Sequence, residues 1–403
     1  MAEEKPRQII ISMPDRAGGL PNVIRNILIY RRCKDFRFHL FLIDESGYQG
    51  LRVYEDIPAD SITRFIYDRD DNLYHVCRRV GRKLKSFGPE ALLVSNSEFD
   101  LHMATVCRLN NPILHICHGD NRLVYKTAES YKPIVNHYVA VSRYIADQLA
   151  STAGIRPGRI SYIPHPIAFS SYTRMPSENN LRIVFVGRLV KGKGIFLMPE
   201  IDAQLRRRQV PVEWIIIGDG LDREAFRRKW SSEARVQWMG EMPNSEIFRE
   251  IARGDIFLLP SYTEGFPLVV PEAMSVGLVP IVSDLKSGIP ELIEEGKTGF
   301  RCPVGDIEKM VDDICLLHND RRTLETLSHQ ARNRVMDFFD PPKRAGEYED
   351  LFKKVMTMPT YPRSFPQPLK TRILDRPFVP STVVRFIRQM IRYFRRTQKR
   401  LIG

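Results

Sequence analysis

Long apolar runs are missing from this chain: nothing in its 403 residues approaches the roughly 18 to 20 apolar residues that cross a bilayer. No signal peptide is expected, because Met1-Ala2-Glu3-Glu4-Lys5-Pro6 is polar and leads straight into an apolar strand at Ile9-Ile10-Ile11. A cytoplasmic or peripheral protein is expected. Cysteine is sparse and unpaired in pattern: Cys33, Cys77, Cys107, Cys117, Cys302 and Cys315 form no Cys-x-x-Cys and mostly sit among apolar neighbours, so reduced core thiols are expected. His115 and His118 have the i, i+3 spacing of a ligand pair, but they lack a nearby third ligand and lie on an apparent strand, and no metal site is expected. Acids are nearly absent from the C-terminal end. Residues 358–403 hold eleven Lys or Arg against Asp375 alone, whereas the first 357 residues carry 50 basic and 47 acidic side chains. A basic tail is joined to a nearly neutral body.

What is present is regular. Apolar strands alternate with helical patterns over 1–168: strands at 8–12, 38–43, 91–95, 113–118, 137–142 and 160–164, and helices at 20–32, 73–87, 101–109 and 143–153. Such alternation predicts an α/β domain with a mostly parallel sheet covered on both faces. Residues 169–180 turn polar and irregular, as linkers do. A second alternating segment, 181–345, has strands at 182–186, 212–217, 236–240, 255–260, 280–282 and 299–302 and helices at 244–253, 307–317 and 321–338. A closing helix is placed at 346–357, and a Pro-rich connector with a basic amphipathic helix fills 358–403.

Chemistry concentrates at the carboxyl ends of the strands, where open α/β sheets bind ligands. Gly18-Gly19 follows the first strand and opens a helix, and His118-Gly119 ends another strand. Gly187-Arg188-Leu189-Val190-Lys191-Gly192-Lys193-Gly194 places Arg188 and Lys193 among glycines, a composition suited to clamping a diphosphate. Ser261 to Gly277 forms a strand-to-helix turn with Glu264 and Glu272 on either side. Its helix N-terminus favours phosphate, and its carboxylates suit sugar hydroxyls. As ordinary first-turn acids the two glutamates would simply complement the helix dipole, and the basic loop would be a solvated turn; composition and spacing leave both readings open.

Taken in order, Gly187-Arg188-Leu189 with Lys193-Gly194, Ile217-Gly218-Asp219-Gly220, Leu259-Pro260-Ser261 with Glu264-x7-Glu272, and Gly288-Ile289-Pro290-Glu291 resemble the retaining family 4 glycosyltransferases. Gly18-Gly19, His118-Gly119, Val139-Ala140-Val141-Ser142 and Ile163-Pro164 extend that resemblance over residues 8 to 357. It implies a GT-B fold, two Rossmann-like doubly wound domains facing across a cleft, with the closing helix at 346–357 crossing back to the N-terminal domain, here with a basic C-terminal helical extension. It also implies hexosyl transfer from a nucleotide-diphosphate sugar with no metal or other cofactor. UDP-sugar is favoured, with GDP-mannose as the other donor, and the acceptor is lipid-linked or polysaccharide in lipopolysaccharide, surface polysaccharide or glycolipid assembly.

By that match Glu264, His118, Arg188 and Lys193 are catalytic, and Arg188 and Lys193 neutralise the donor diphosphate. Gly265, Phe266, Pro267, Leu268, Glu272 and Met239 complete the donor site, with Glu272 on the ribose, while Gly18 and Gly19 approach the phosphate and acceptor. Pro271, directly before Glu272 where the family more often has an aliphatic residue, predicts a later helix start. Other activities that suit such a fold are a nucleotide-sugar epimerase or hydrolase, or a non-catalytic nucleotide-sugar-binding protein.

From Ser381 onward Val383, Phe386, Ile387, Met390, Ile391 and Phe394 recur at helical spacing, and Arg385, Arg388, Arg392, Arg395, Arg396, Lys399 and Arg400 fill other positions. Residues 381–402 therefore suit either the anionic inner face of a membrane or the protein's own body. Basic residues at 25–34 and 78–85 could extend the same face. The body lacks a basic excess to match the tail and has no nucleic-acid module, so nucleic acid is not an expected partner.

Overall fold

The computed structural model describes residues 6–16, 18–47, 52–53, 57–177, 180–230, 235–286, 288–358, 365 and 373–402. Its first half alternates β1 (Arg7–Pro14), α1 (Gly19–Ile29), β2 (Phe36–Glu45), β3 (Ser61–Tyr67), α2 (Leu73–Lys85), β4 (Leu92–Ser95), α3 (Glu98–Val106), β5 (Ile113–Cys117), α4 (Arg122–Tyr131), β6 (His137–Ala140), α5 (Arg143–Ser151) and β7 (Ile160–Tyr162). The second half begins with β8 (Leu181–Val186), α6 (Met198–Arg207), β9 (Val212–Ile217), α7 (Arg223–Arg227), β10 (Val236–Gly240), α8 (Asn244–Ile251) and β11 (Ile256–Leu259). It continues with α9 (Val269–Val276), β12 (Val279–Ser283), α10 (Ile289–Leu292), β13 (Phe300–Cys302), α11 (Ile307–Asn319) and α12 (Arg321–Phe338). α13 (Pro341–Met356) and α14 (Ser381–Ile402) follow.

Among the described residues the strands form two sheets, ordered β3-β2-β1-β4-β5-β6-β7 and β10-β9-β8-β11-β12-β13, with parallel pairing throughout. Each is covered by helices, which is why central strands such as Leu92–Ser95 and Ile256–Leu259 are buried at every position and carry continuous apolar runs. β3, α4, α6, α7 and α10 are absent from the sequence reading. β3 is an edge strand with none of its residues fully buried, and its Ser-Ile-Thr-Arg alternation lacks the apolar density that marks its neighbours. α4 announces itself only through Asn121, whose side chain accepts hydrogen bonds from the N–H groups of Leu123 and Val124.

The second half of the chain is tied back to the first. α13 lies beside α1, and Phe352 on it meets Phe36 and Phe38 edge-on at 6.4 and 6.3 Å. The Glu349 carboxylate on the same helix accepts from the backbone N–H of Arg32 at 3.0 Å and of Cys33 at 3.1 Å, taking up donors just beyond the end of α1. The Glu291 carboxylate bridges the domains again, accepting from Arg143 N at 2.6 Å and from the Tyr162 hydroxyl.

The basic residues of α1 and α2 do not share a face. α1 packs beside α13 and α2 beside α3, as right-handed crossovers require for helices that follow β1 and β3 in this strand order. Most of the Pro-rich connector and the side chains of residues 393–402 lie outside the described residues. α14 docks through its arginines: Arg385 Nε reaches Asp71 at 2.6 Å, Arg388 forks onto Asp375 at 2.9 Å, and Arg392 pairs with Asp70. No described helix is long and apolar enough to cross a membrane.

Candidate functional site

Strand order reverses once in each sheet, at β1/β4 in the first and at β8/β11 in the second. Loops leaving such a pair diverge and open a crevice at the carboxyl edge. In the first domain these loops carry Gly18-Gly19 and Asn96; in the second they carry Gly187 to Lys193 and Ser261 to Leu268. The two crevices face one another. Between them lies a cavity of about 310 Å³, lined from the first domain by Gly18, Gly19 and Asn22 and from the second by Arg188, Lys193, Leu268 and Glu272.

The second-domain wall is built by close backbone approach. Gly194 has φ 68°, and a Cβ there would stand 1.8 Å from the Pro260 carbonyl oxygen, so only glycine lets the basic loop lie against the end of β11. Tyr262 N also donates to Gly192 O at 3.0 Å. Held there, Lys193 Nζ donates to both oxygens of Glu264, at 2.6 and 2.8 Å, and Ser261 Oγ donates to Oε1 at 2.7 Å. Lys193 lines the cavity and Glu264 stands behind it, so these two predicted site residues form one ion pair. Arg188 is exposed at the cavity wall and makes no ion pair among the described residues.

α9 starts at Val269, two residues before Pro271, so the expected later start does not occur. Proline sits within the first turn, where its missing N–H would have had no helical partner. Glu272 therefore stays in the first turn and faces the cavity, 7% exposed, and burial with no compensating partner pushes its carboxyl up to about 8. Neither α1 nor α9, the helices whose N-termini line the cavity, has a side-chain cap, whereas Asn72, Ser97, Asn121 and Ser142 cap α2 to α5. Pro21 and Pro271 have no N–H and Val270 N is taken by Pro267 O, so at each terminus only the N–H groups at the very start of the helix are left for an anion.

Opposite Glu264 the domains touch. A Cβ on Gly265 would fall 2.2 Å from the His118 carbonyl oxygen, so the donor-side loop rests directly on the turn after β5. His118 is half-buried and both its ring nitrogens are engaged within its own domain: Nε2 with Asn96 Oδ1 at 2.9 Å and Nδ1 with His165 Nε2 at 3.3 Å. Asn96 Nδ2 donates to Ser12 O at 2.9 Å, which leaves Oδ1 to accept and assigns the His118 proton to Nε2. His165 then donates from Nε2, and its buried Nδ1 has no partner, as an unprotonated nitrogen permits.

Burial, then His165 and His115, hold His118 well below the ordinary imidazole range; burial takes His165 to about 3. Beneath them Asp100, fully enclosed, accepts from Ser12 Oγ at 2.5 Å and from Asn96 N and Ser97 N at 2.9 Å, and burial pushes it up to about 6. His115 turns away to Ser95 Oγ at 3.0 Å, and no metal-ligand cluster occurs among the described residues.

Gly18, Gly19, Arg188, Lys193, Leu268 and Glu272 thus share one cavity. Phe266 packs edge-on to His165 at 6.1 Å, and Pro267 O accepts from Val270 N at the start of α9. Met239 is not a lining residue: it is the extra residue of a bulge, Trp238 pairing with Ile216 and Gly240 with Ile217, and the chain beyond it supplies Glu241 and Met242 to the wall instead. Sequence reasoning missed Asn22, Met242 and Asn96. Of these only Asn96, a polar residue directly after a buried strand, carried a readable signal.

Comparison with known proteins bears on the whole cleft. Residues 17–170 match the model of Glycosyltransferase Family 4, and residues 174–334 match that of Glycosyl transferases group 1. The gpi3 subunit of phosphatidylinositol N-acetylglucosaminyltransferase from Schizosaccharomyces pombe is 28% identical over 223 residues, 54% of this chain and 49% of that protein. The amylovoran biosynthesis glycosyltransferase AmsK of Erwinia amylovora is 35% identical over 185 residues, 43% of this chain and 45% of that protein. The chain therefore spans about half the length of the curated relatives it matches. Anabaena HepE, solved in complex with UDP and glucose, superposes with a TM-score of 0.72 at 18% identity, over 86% of this chain and 100% of that one. The fold is GT-B.

Proposed function

We propose that this chain, whose two halves match glycosyltransferase family models, moves a hexose from a nucleotide-diphosphate sugar to a membrane-borne glycolipid or polysaccharide acceptor, with retention at the sugar. One observation carries the reading: both switch-point crevices open into a single cavity that presents Arg188, Lys193, two uncapped helix N-termini and the buried Glu272 together. UDP is the favoured nucleotide, since HepE, of the same fold, was solved with UDP and with UDP-glucose; GDP-mannose is the other candidate. Residues 381–402 would meet the anionic inner face of a membrane, which puts the enzyme on the cytoplasmic side.

Breaking the glycosyl–phosphate bond builds negative charge on the diphosphate and positive charge on the sugar ring. Arg188 and the remaining free N–H groups at the starts of α1 and α9 would meet the first, and Lys193 would be shared between Glu264 and phosphate. Glu264, partly released, would then accept from donor-sugar hydroxyls and favour the ring cation. Glu272 would accept from the ribose diol. His118 reaches a sugar hydroxyl only by giving up its contact with His165, the longer of its two at 3.3 Å. No residue need form a covalent intermediate: front-face attack, with a donor phosphate oxygen taking the acceptor proton, suffices for retention.

The test is turnover with a panel of UDP- and GDP-sugars and lipid-linked acceptors. Glu264→Ala and Lys193→Ala should each lower kcat/KM by roughly two orders of magnitude, as loss of one preorganised electrostatic contact does. Unchanged turnover in both would end the proposal. Product formed without acceptor would favour an epimerase or hydrolase, and donor binding without turnover a non-catalytic role. Donors are ranked first by thermal shift, since a ligand at a hundred times its Kd adds about 2.7 kcal/mol.

A further inference from the structure

α14 is an amphipathic helix docked by its charged side. Arg385, Arg388 and Arg392, spaced i, i+3, i+7, form one stripe, and all three are spent on buried acids: Asp71 and Asp70 of the body, and Asp375 of the segment that leads into the helix. These acids are 6%, 6% and 4% exposed, so each needs its partner. At about 100° per residue, Val383, Phe386 and Met390 fall on the opposite stripe. They face solvent at 44%, 63% and 43%, and Phe378, just before the helix, is 75% exposed. A solvated helix normally shows the reverse arrangement.

The docking point has a direction. Asp70 and Asp71 lie in the turn between β3 and α2, at the carboxyl edge of the first sheet. Asp375 accepts from Leu73 N at 2.8 Å at the start of α2, and Asn72 Nδ2 donates to Arg376 O and Val379 O. This is the sheet edge that carries Gly18-Gly19, so the outward apolar stripe belongs to the acceptor-side domain and to the edge that opens on the cleft.

We propose that the stripe Phe378, Val383, Phe386 and Met390 is a lipid-docking surface, held rigidly by the arginine clasp, that seats the acceptor-side domain on an anionic bilayer. Charge selects this occupant. The segment 358–403 has eleven basic residues and one acid, only three of those basic residues are committed to the clasp on the described helix, and exposed Arg376 stands beside Phe378. Apolar side chains entering the boundary between headgroups and acyl chains, with cations around them, bind such a surface together. The inference deepens the proposed membrane partner and fails separately from glycosyl transfer, which nucleotide binding and turnover report.

The experiment is co-sedimentation of the full chain with vesicles of phosphatidylcholine alone or with about one third phosphatidylglycerol. Phe386→Ser/Met390→Ser, at exposed positions, should lower partition onto the anionic vesicles by about tenfold or more while UDP-sugar binding stays unchanged. Arg385→Ala/Arg388→Ala should lower the melting temperature but leave vesicle binding within about twofold, because these arginines face the body. Equal binding by the Phe386/Met390 variant, equal binding to neutral and anionic vesicles, or greater loss in the arginine variant than in the apolar one would each overturn the proposal. So would a protein-only dimer that the apolar variant dissolves, since the stripe would then belong to a second copy.

Discussion

At the scale of single residues, Glu272 is the group whose chemistry changed most between sequence and structure. As a first-turn acid it would be ionised at neutral pH; buried against the cavity, its carboxyl is pushed up to about 8. An ionised carboxylate can take two hydrogen bonds from a ribose diol, and a protonated one is a poorer acceptor. UDP affinity should therefore rise between pH 6.5 and 8.5 in the unaltered protein and stay flat in Glu272→Gln, as measured by isothermal titration. A rise of equal size in the variant would remove Glu272 from the nucleotide site. Asn96 and His165 act at the same scale: together they engage both His118 nitrogens, which no spacing in the sequence shows, because the three residues come from the ends of β4, β5 and β7.

At the scale of elements, the loop between β11 and α9 does two jobs at once. Glu264, which also accepts from Ser261 Oγ, takes up Lys193, and Gly265 rests on the turn at His118. Gly265→Ala would push a methyl to 2.2 Å from His118 O and 2.5 Å from Gly119 Cα, backbone atoms that cannot step aside, so the loop or the whole domain must shift. Donor Kd should rise at least about tenfold, the scale of an overpacking cost of roughly 1–3 kcal/mol. Gly192→Ala, where an added Cβ meets nothing within 4 Å, is the control and should bind as before. Matched affinities in the two variants would argue that the contact is incidental. The strand-to-helix turn and its stop at Gly277 were legible from the apolar run, the polar loop and the change of period; the contact across the cleft was not, since nothing local to residues 261–268 refers to residue 118.

At the scale of the whole molecule, buried histidines and buried acids set opposing limits on stability. His115 and His137 are taken by burial to about 4 and His165 to about 3, and His118 is lowered too. The unfolded chain binds protons at these sites below about pH 6.5, so their neutral burial costs stability as pH falls from there. Asp100 and Glu272 act the other way. Their folded-state values, about 6 and about 8, lie above the unfolded ones, so their contribution declines as pH rises from the ordinary carboxyl range toward those values. With His39, His102 and His318, which burial also lowers, seven histidines outnumber two acids on the acid side, and only Glu272 acts between about 6.5 and 8. The melting temperature should peak between about pH 6 and 7, and Glu272→Gln should flatten the alkaline limb. A monotonic profile down to pH 4.5 would contradict this assignment.

Two alternating βα segments, their boundary near residues 169–180, the order of the glycine-rich turns and the basic tail could all be read along the chain, because hydrophobic period, turn chemistry and charge are local properties. They determined a two-domain α/β protein with candidate ligand residues at strand ends. Tertiary structure alone decided the rest: that Lys193 neutralises Glu264, that Glu272 is buried while Met239 is bulged out of the wall, and that α14 turns its arginines inward. Each of these depends on which distant groups share a low-dielectric space or a sheet edge, and a carboxylate's partner or a helix's orientation follows from that proximity rather than from sequence spacing.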